Sequence, residues 1–256
     1  MGRGPVVEKK KNVSNALRQK VFSLHAKLIA LAASKGADPH MNPSLADAIE
    51  KARKDNVPND NIERAIKKGS GDDKGSEQIS QIVYEGYAPG GVAIVIQVLT
   101  DNKNRTAANV RHIFSKFGGN MGESGSVAWI FPKKGVVTFS KEKVDFSKIE
   151  ELVFETSVDD MQEDDEDIRL ITSVDNLKEV SDFFKSKGFV PESVNLEYIP
   201  NNEVEVTEFD KALKIVKMIE ALDEDEDVED YSLNAVINDE LKKEVNDFIE
   251  KNTFRT

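Results

Sequence analysis

The sequence has no cysteine, one tryptophan and three histidines in 256 residues, and each scarcity removes a class of chemistry. Without thiols there are no disulfides, thiolate metal sites or cysteine nucleophiles, a pattern typical of a reducing compartment, so a cytoplasmic protein is expected. His25, His40 and His112 form no H-x-x-x-H or H-E-x-x-H pair, so no metal site or other cofactor is expected. His25 lies beside an apolar stripe and reads as a boundary residue. Long apolar runs are also missing. The longest, residues 91–99, is far short of the roughly 20 residues that span a bilayer. The opening "MGRGPVVEKKKN" has no signal-peptide core, and Val6 breaks the myristoylation pattern, so no membrane partner is expected.

Acidic residues are abundant, and they are unevenly placed. The net charge is -12, but residues 1–74 carry 15 Lys+Arg against 9 Asp+Glu, residues 75–134 carry 6 against 4, and residues 135–256 carry 14 against 34. Such asymmetry suggests a polyanion-binding end joined to a solvating acidic end, although lysine-rich helices and acidic loops also serve as plain solvated faces.

Periodicity predicts three helices in the basic segment. Over residues 12–33 a stripe of Leu17, Val21, Leu24, Leu28 and Leu31 recurs at helical spacing, and "GADP" ends it. Asn42 is placed to cap a second helix with Pro43 at its first position and Leu45, Ala48, Ile49 and Ala52 inward. Asp60 and Glu63 fit a capping box for a third, with Ile62, Ala65 and Ile66 inward and Gly69 as its stop. "GSGDDKGSEQ" then reads as a linker.

Beyond it the period changes. β-Branched runs flank a Gly-Pro-Gly-Gly-type turn in "ISQIVYEGYAPGGVAIVIQVLT", a helix follows, and "SVAWIF" reads as a strand. From residue 135 the order is strand "GVVTFS", helix "KIEELVFETS", strand "DIRLITSV", helix "NLKEVSDFFKSKG" and strand "SVNLEYIP". Strand "NEVEVT", helix "FDKALKIVKMIEAL", a short strand at 228–233 and an amphipathic helix within 234–256 complete the chain. The fold class is therefore α+β: an N-terminal three-helix domain plus two ferredoxin-like, split βαβ α+β domains, the third inserted in the second. The expected boundaries are 1–74 for the basic helical domain, 75–134 and 201–256 for the discontinuous α+β domain, and 135–200 for the acidic insertion.

No catalytic constellation survives inspection, so an enzyme is not expected. "GESGS" lacks the frame of a nucleophile elbow, "GGNMGESG" lacks the Lys-Ser/Thr pair of a P-loop, and "GYAPGG" does not fit G-x-G-x-x-G. "DDMQEDDEDI" (159–168) and "DEDEDVED" (223–230) lack the glycine and distal glutamate of a calcium loop and read as solvated loops.

The stretch "TDNKNRTAANVRHIFSKFGGN" (100–120) carries the strongest binding signal. With Asn104 as cap, Ala107, Val110, Phe114 and Phe117 fall on one helical face. Arg105, Asn109, His112 and Lys116 fall on the other, with Arg111 alongside. That second face is cationic and almost free of carboxylates, and Arg and Asn suit phosphate oxygens and base edges. Its structural counterpart is a capped solvent-facing helix in which Lys116 complements the C-terminal dipole. The helical segment adds Lys9, Lys10, Lys11, Arg18, Lys20, Arg53, Lys54, Arg64, Lys67 and Lys68. If about five of these meet phosphates, binding to duplex should fall with a log-log salt slope near about -4.5.

Three blocks then stand out together: "NPSLADAIEKARKDNVPNDNIERAIKKGSG" (42–71), "YEGYAPGGVAIVIQVLTDNKNRTAANVRHIFSKFGGNMGESGSVAWIF" (84–131) and "IPNNEVEVTEFDKALKIVKMIEALDEDEDVED" (199–230). In this order they resemble the YebC/PmpR family, whose bacterial members are described as probable transcriptional regulatory proteins and whose mitochondrial relatives as translational activators of cytochrome c oxidase. The resemblance implies three domains with the third inserted in the second, and a non-enzymatic role through DNA or the ribosome. It singles out Asn104, Arg105 and Thr106, the "NIERAIKK" helix, and Lys10, Lys11, Arg18 and Lys20. The chain departs from the family at its start, where "MGRGPVVEKKK" stands in place of a Gly-His-Ser-Lys-Trp segment. The expected function is a nucleic-acid-binding regulator of gene expression acting as a monomer. Its expected partner is promoter DNA or ribosomal RNA, the ribosome included. The alternative is a protein-interaction scaffold with a partner in an inter-domain cleft and the acidic half as docking surface.

Overall fold

The computed structural model describes residues 15–71, 78–164 and 166–253. They form two compact units, one of residues 130–201 and the other of the described residues that precede 130 and follow 201 in sequence.

The larger unit opens with helices α1 (Asn15–Ala33), α2 (Pro43–Lys54) and α3 (Asn59–Ser70). Helix α2 starts as its sequence demands: the Leu45 amide donates to the Asn42 side chain at 3.2 Å, and Pro43 fills the first turn, where a missing N–H costs nothing. Leu45, Ile49 and Ala52 bury against Ile62 and Ala65 of α3 and Ile29 and Ala33 of α1.

Three local expectations fail. The core face of α1 is Phe22, Ala26, Ile29 and Ala33, one position round from the leucine stripe, and Val21 is 36% exposed. Beside that face α1 and α3 come close: a Cβ on Gly69 would sit 2.1 Å from the Ala30 carbonyl oxygen. Gly69 is thus an approach point within α3. The helix ends at Gly71, whose φ of 82° lies in the left-handed region. The capping box does not form either. Pro58 occupies the cap without a side-chain bond, so Asp60 falls inside the first turn, where it complements the helix dipole.

Strands β1 (Ser80–Ala88) and β2 (Val92–Thr100) pair antiparallel across the Pro-Gly-Gly turn, and every residue of β2 is buried. Helix α4 (Lys103–Lys116) follows, and β3 (Asn120–Met121) returns to the far edge of β1. β2, α4 and β3 thus make a split βαβ unit around β1. The predicted strand "SVAWIF" is instead a series of turns. Its first amides have another acceptor: the buried Glu85 carboxylate receives Val127 and Ala128, and the preceding Gly125, each at 2.8 Å.

The smaller unit runs β4 (Lys133–Ser140), α5 (Phe146–Val153), β5 (Val158–Glu163), β6 (Asp167–Thr172), α6 (Leu177–Ser186) and β7 (Ser193–Tyr198). Its sheet has the order β5-β6-β4-β7 with all neighbours antiparallel, the ferredoxin-like arrangement. Phe139, Ile149, Leu170, Val180 and Phe184 form its core. The acidic run 159–168, expected as a solvated loop, instead includes most of the edge strand β5, whose Asp159, Asp160 and Glu163 are exposed while Met161 packs inward.

The chain then rejoins the larger unit with β8 (Val204–Glu205), α7 (Phe209–Glu224), β9 (Val228–Leu233), β10 (Ala235–Val236) and α8 (Asp239–Thr253). β9 pairs with β2 and completes the sheet β3-β1-β2-β9, whereas β8 and β10 form a separate two-stranded sheet. Val110 and Phe114 of α4, Ile215, Ile219 and Leu222 of α7, and Leu241 and Val245 of α8 share its core. No helix among the described residues is long and apolar enough to cross a membrane.

Candidate nucleic-acid interface

The start of α4 is held by a buried carboxylate. Asp227, expected in a solvated acidic loop, is only 3% exposed. The Lys27 ammonium of α1 donates to its Oδ1 at 2.6 Å. Its Oδ2 receives Arg105 at 2.9 Å and the hydroxyls of Thr106 and Thr100 at 2.7 and 3.3 Å. Burial by itself would raise this carboxyl's pKa. The bonds from Lys27, Thr106 and Arg105, with the charge of Lys27, outweigh burial and hold it at about 2. The loop turns inward because Val228, next in sequence, is a fully buried strand residue beside β2.

This arrangement redistributes the predicted contact residues. Asn102, not Asn104, caps α4, accepting the Arg105 amide at 3.0 Å, so Asn104 lies exposed in the first turn. The buried face is Thr106, Val110, Ile113 and Phe114, with Ala107 and Phe117 only half-buried. Arg105 is half exposed but committed, bonded to Asp227 and to Asp101 at 3.3 Å, and its pKa is raised chiefly by the hydrogen bond to Asp227. Tyr84 nearby is also raised, first by burial and then by Asp227, against the opposing charge of Arg111.

What α4 leaves outside is Asn104, Asn109, Arg111, His112 and Lys116, together with Lys103, which the sequence reading did not single out. Arg111 and Lys116 have no carboxylate partner among the described residues; the Lys116 ammonium lies 5.3 Å from the Phe117 ring centre. With the positive end of the helix dipole behind Asn104, this face can accept phosphate oxygens through Arg and Lys and offer Asn amides to base edges.

The helical segment divides in the same way. Lys20 donates to the carbonyls of Leu222 and Asp223 at 3.2 and 2.7 Å, closing the C-terminal end of α7, and Lys68 pairs with Asp101 at 3.4 Å. Lys54 pairs with Glu50 at 3.0 Å, and Arg64 bonds the Asn61 side chain and the Asp60 carbonyl. Arg18, Arg53 and Lys67 are exposed, without ionic partners among the described residues. Lys9, Lys10 and Lys11 lie outside the described residues. His25 is a boundary residue that bonds Asp55, beyond the end of α2, at 2.6 Å. Asp227 and Lys27 are the residues that sequence reasoning missed. The signal for Asp227 was its position directly before the strand that Val228 opens.

Residues 5–72 match the family described as "TACO1/YebC protein N-terminal domain", and residues 79–235 match "TACO1/YebC second and third domain". The chain belongs to the TACO1/YebC family. A relative from Maridesulfovibrio salexigens named "Probable transcriptional regulatory protein" is 43% identical over 94% of this chain and 96% of its own. A relative of the same name from Treponema pallidum is 44% identical over 90% and 94%. The crystal structure of a conserved hypothetical protein from Aquifex aeolicus superposes with a TM-score of 0.83 at 37% identity, covering 92% of this chain and 97% of that one. These YebC-family names place the chain among regulators.

Proposed function

We propose that this TACO1/YebC-family protein is a non-enzymatic, cytoplasmic regulator that binds nucleic acid as a monomer, with the outer face of α4 as its contact strip and Arg18, Arg53 and Lys67 as flanking phosphate contacts. The observation that carries this reading is the exposed, carboxylate-free run of Asn104, Asn109, Arg111 and Lys116, next to cations the fold has already used. In this proposal the three predicted domains divide the work: basic helices and α4 bind, and the acidic insertion does not. Structured RNA, such as a ribosomal surface, suits the strip better than promoter DNA. A single helix face reads local shape, and the dense negative charge beyond residue 135 opposes wrapping by a long duplex.

Arg111→Ala with Lys116→Ala tests the strip, because neither residue holds the fold together. On ribosomes or duplex DNA, whichever is the target, the double variant should bind more weakly at every salt concentration, with a log-log salt slope shallower by about 2. Unchanged affinity and slope on both targets would exclude this helix from nucleic-acid binding and leave the scaffold reading.

A further inference from the structure

We propose that the smaller unit carries a second recognition site, a groove between the end of α5 and the free edge of β5, which takes an extended arginine- or lysine-rich segment of a partner protein. The groove, of about 470 Å³, has Val153, Phe154, Val158 and Met161 as its apolar lining and Glu150, Asp159 and Asp160 as its acidic members. Three features define the occupant.

The first is the edge. β5 pairs with β6 on one side and stands at the end of the sheet, the position at which a further strand can add. The register of β5 shifts between Val158 and Asp160, and the extra residue, Asp159, lines the groove.

The second is Phe154, which is 85% exposed at the foot of α5. It adds little to the core, yet offers an aromatic face on which a guanidinium or an aliphatic side chain can stack.

The third is charge. Residues 130–201 carry 9 Lys+Arg against 17 Asp+Glu. Within the groove Asp159 is paired with Lys134 at 2.8 Å, whereas Glu150 and Asp160 have no cationic partner among the described residues. Such a rim repels nucleic acid and the same acidic edge of a second copy, and it selects a basic strand. An incoming segment would add main-chain bonds to β5, seat one side chain on Phe154 and pair its cations with Glu150 and Asp160.

The test uses the full-length protein and a fluorescent extended peptide alternating arginine and valine, with a glutamate-for-arginine peptide as control, read by anisotropy. The arginine peptide should bind and slow hydrogen exchange in residues 158–162. Phe154→Ala, and separately Glu150→Gln with Asp160→Asn, should each weaken it by about tenfold or more. Glu179→Gln with Asp182→Asn, which removes two exposed charges of α6, should leave it unchanged, as should the α4 double variant. The proposal is overturned if the arginine peptide fails to bind or if the glutamate peptide binds equally. It is also overturned if the α6 variant weakens binding as much as the groove variants, or if the free protein sediments as a dimer that Phe154→Ala dissolves.

Discussion

Asp227 shows how one residue can change the meaning of several others. Lys27, Arg105, Thr106 and Thr100 all converge on its carboxylate, so Lys27, Thr106 and Thr100, which resemble surface polar residues in sequence, act as interior ones. Removing the charge leaves Lys27, itself 14% exposed, without its counterion. Asp227→Asn should therefore cost about 3 kcal/mol in urea unfolding at neutral pH, the usual scale for breaking a buried pair. The same residue sets an acid limit. Its folded pKa of about 2 is depressed from 3.8, so its contribution is present above the unfolded value and is lost as pH falls from about 4 to about 2. That contribution is about 2 kcal/mol. Wild-type unfolding free energy should show this loss on acidification and the Asp227→Asn variant should lack it; parallel pH profiles would refute the assignment.

Secondary elements were legible wherever periodicity and caps agreed. Helix α2 followed from Asn42, Pro43 and its inner face, and the β1–β2 hairpin from its glycine turn. Errors arose where a distant group decided the local structure. "SVAWIF" has strand composition, but Glu85, some 40 residues earlier in the chain, collects its amides and holds it as a turn. Glu85→Ala should strand those donors and destabilise the larger unit by about 2 to 3 kcal/mol, seen as a lower urea midpoint with unchanged slope. Gly69 reads as a helix stop because nothing local reveals that Ala30 will lie against it. Gly69→Ala should cost about 1 to 3 kcal/mol through forced separation of α1 and α3, in spite of the better helix propensity of alanine. A stabilised protein would mean the two helices part freely.

On the scale of the whole molecule, the chain leaves one compact unit, builds another over residues 130–201 and returns. Native-state hydrogen exchange should accordingly resolve two opening free energies, one for each unit. Asp227→Asn should lower that of the larger unit and spare the smaller; a single shared value would show that the two unfold together. The sequence by itself determined the α+β class, the three N-terminal helices, the family blocks and the contrast between basic and acidic regions, because these depend on local periodicity and on summed charge. Only the tertiary structure decided which cations are already engaged within the fold. Lys20, Lys27, Lys68 and Arg105 are consumed by carbonyls and carboxylates far away in the sequence, and Arg111 and Lys116 are not. The partner of a charge is set by where the fold brings the chain back, and composition carries no record of that.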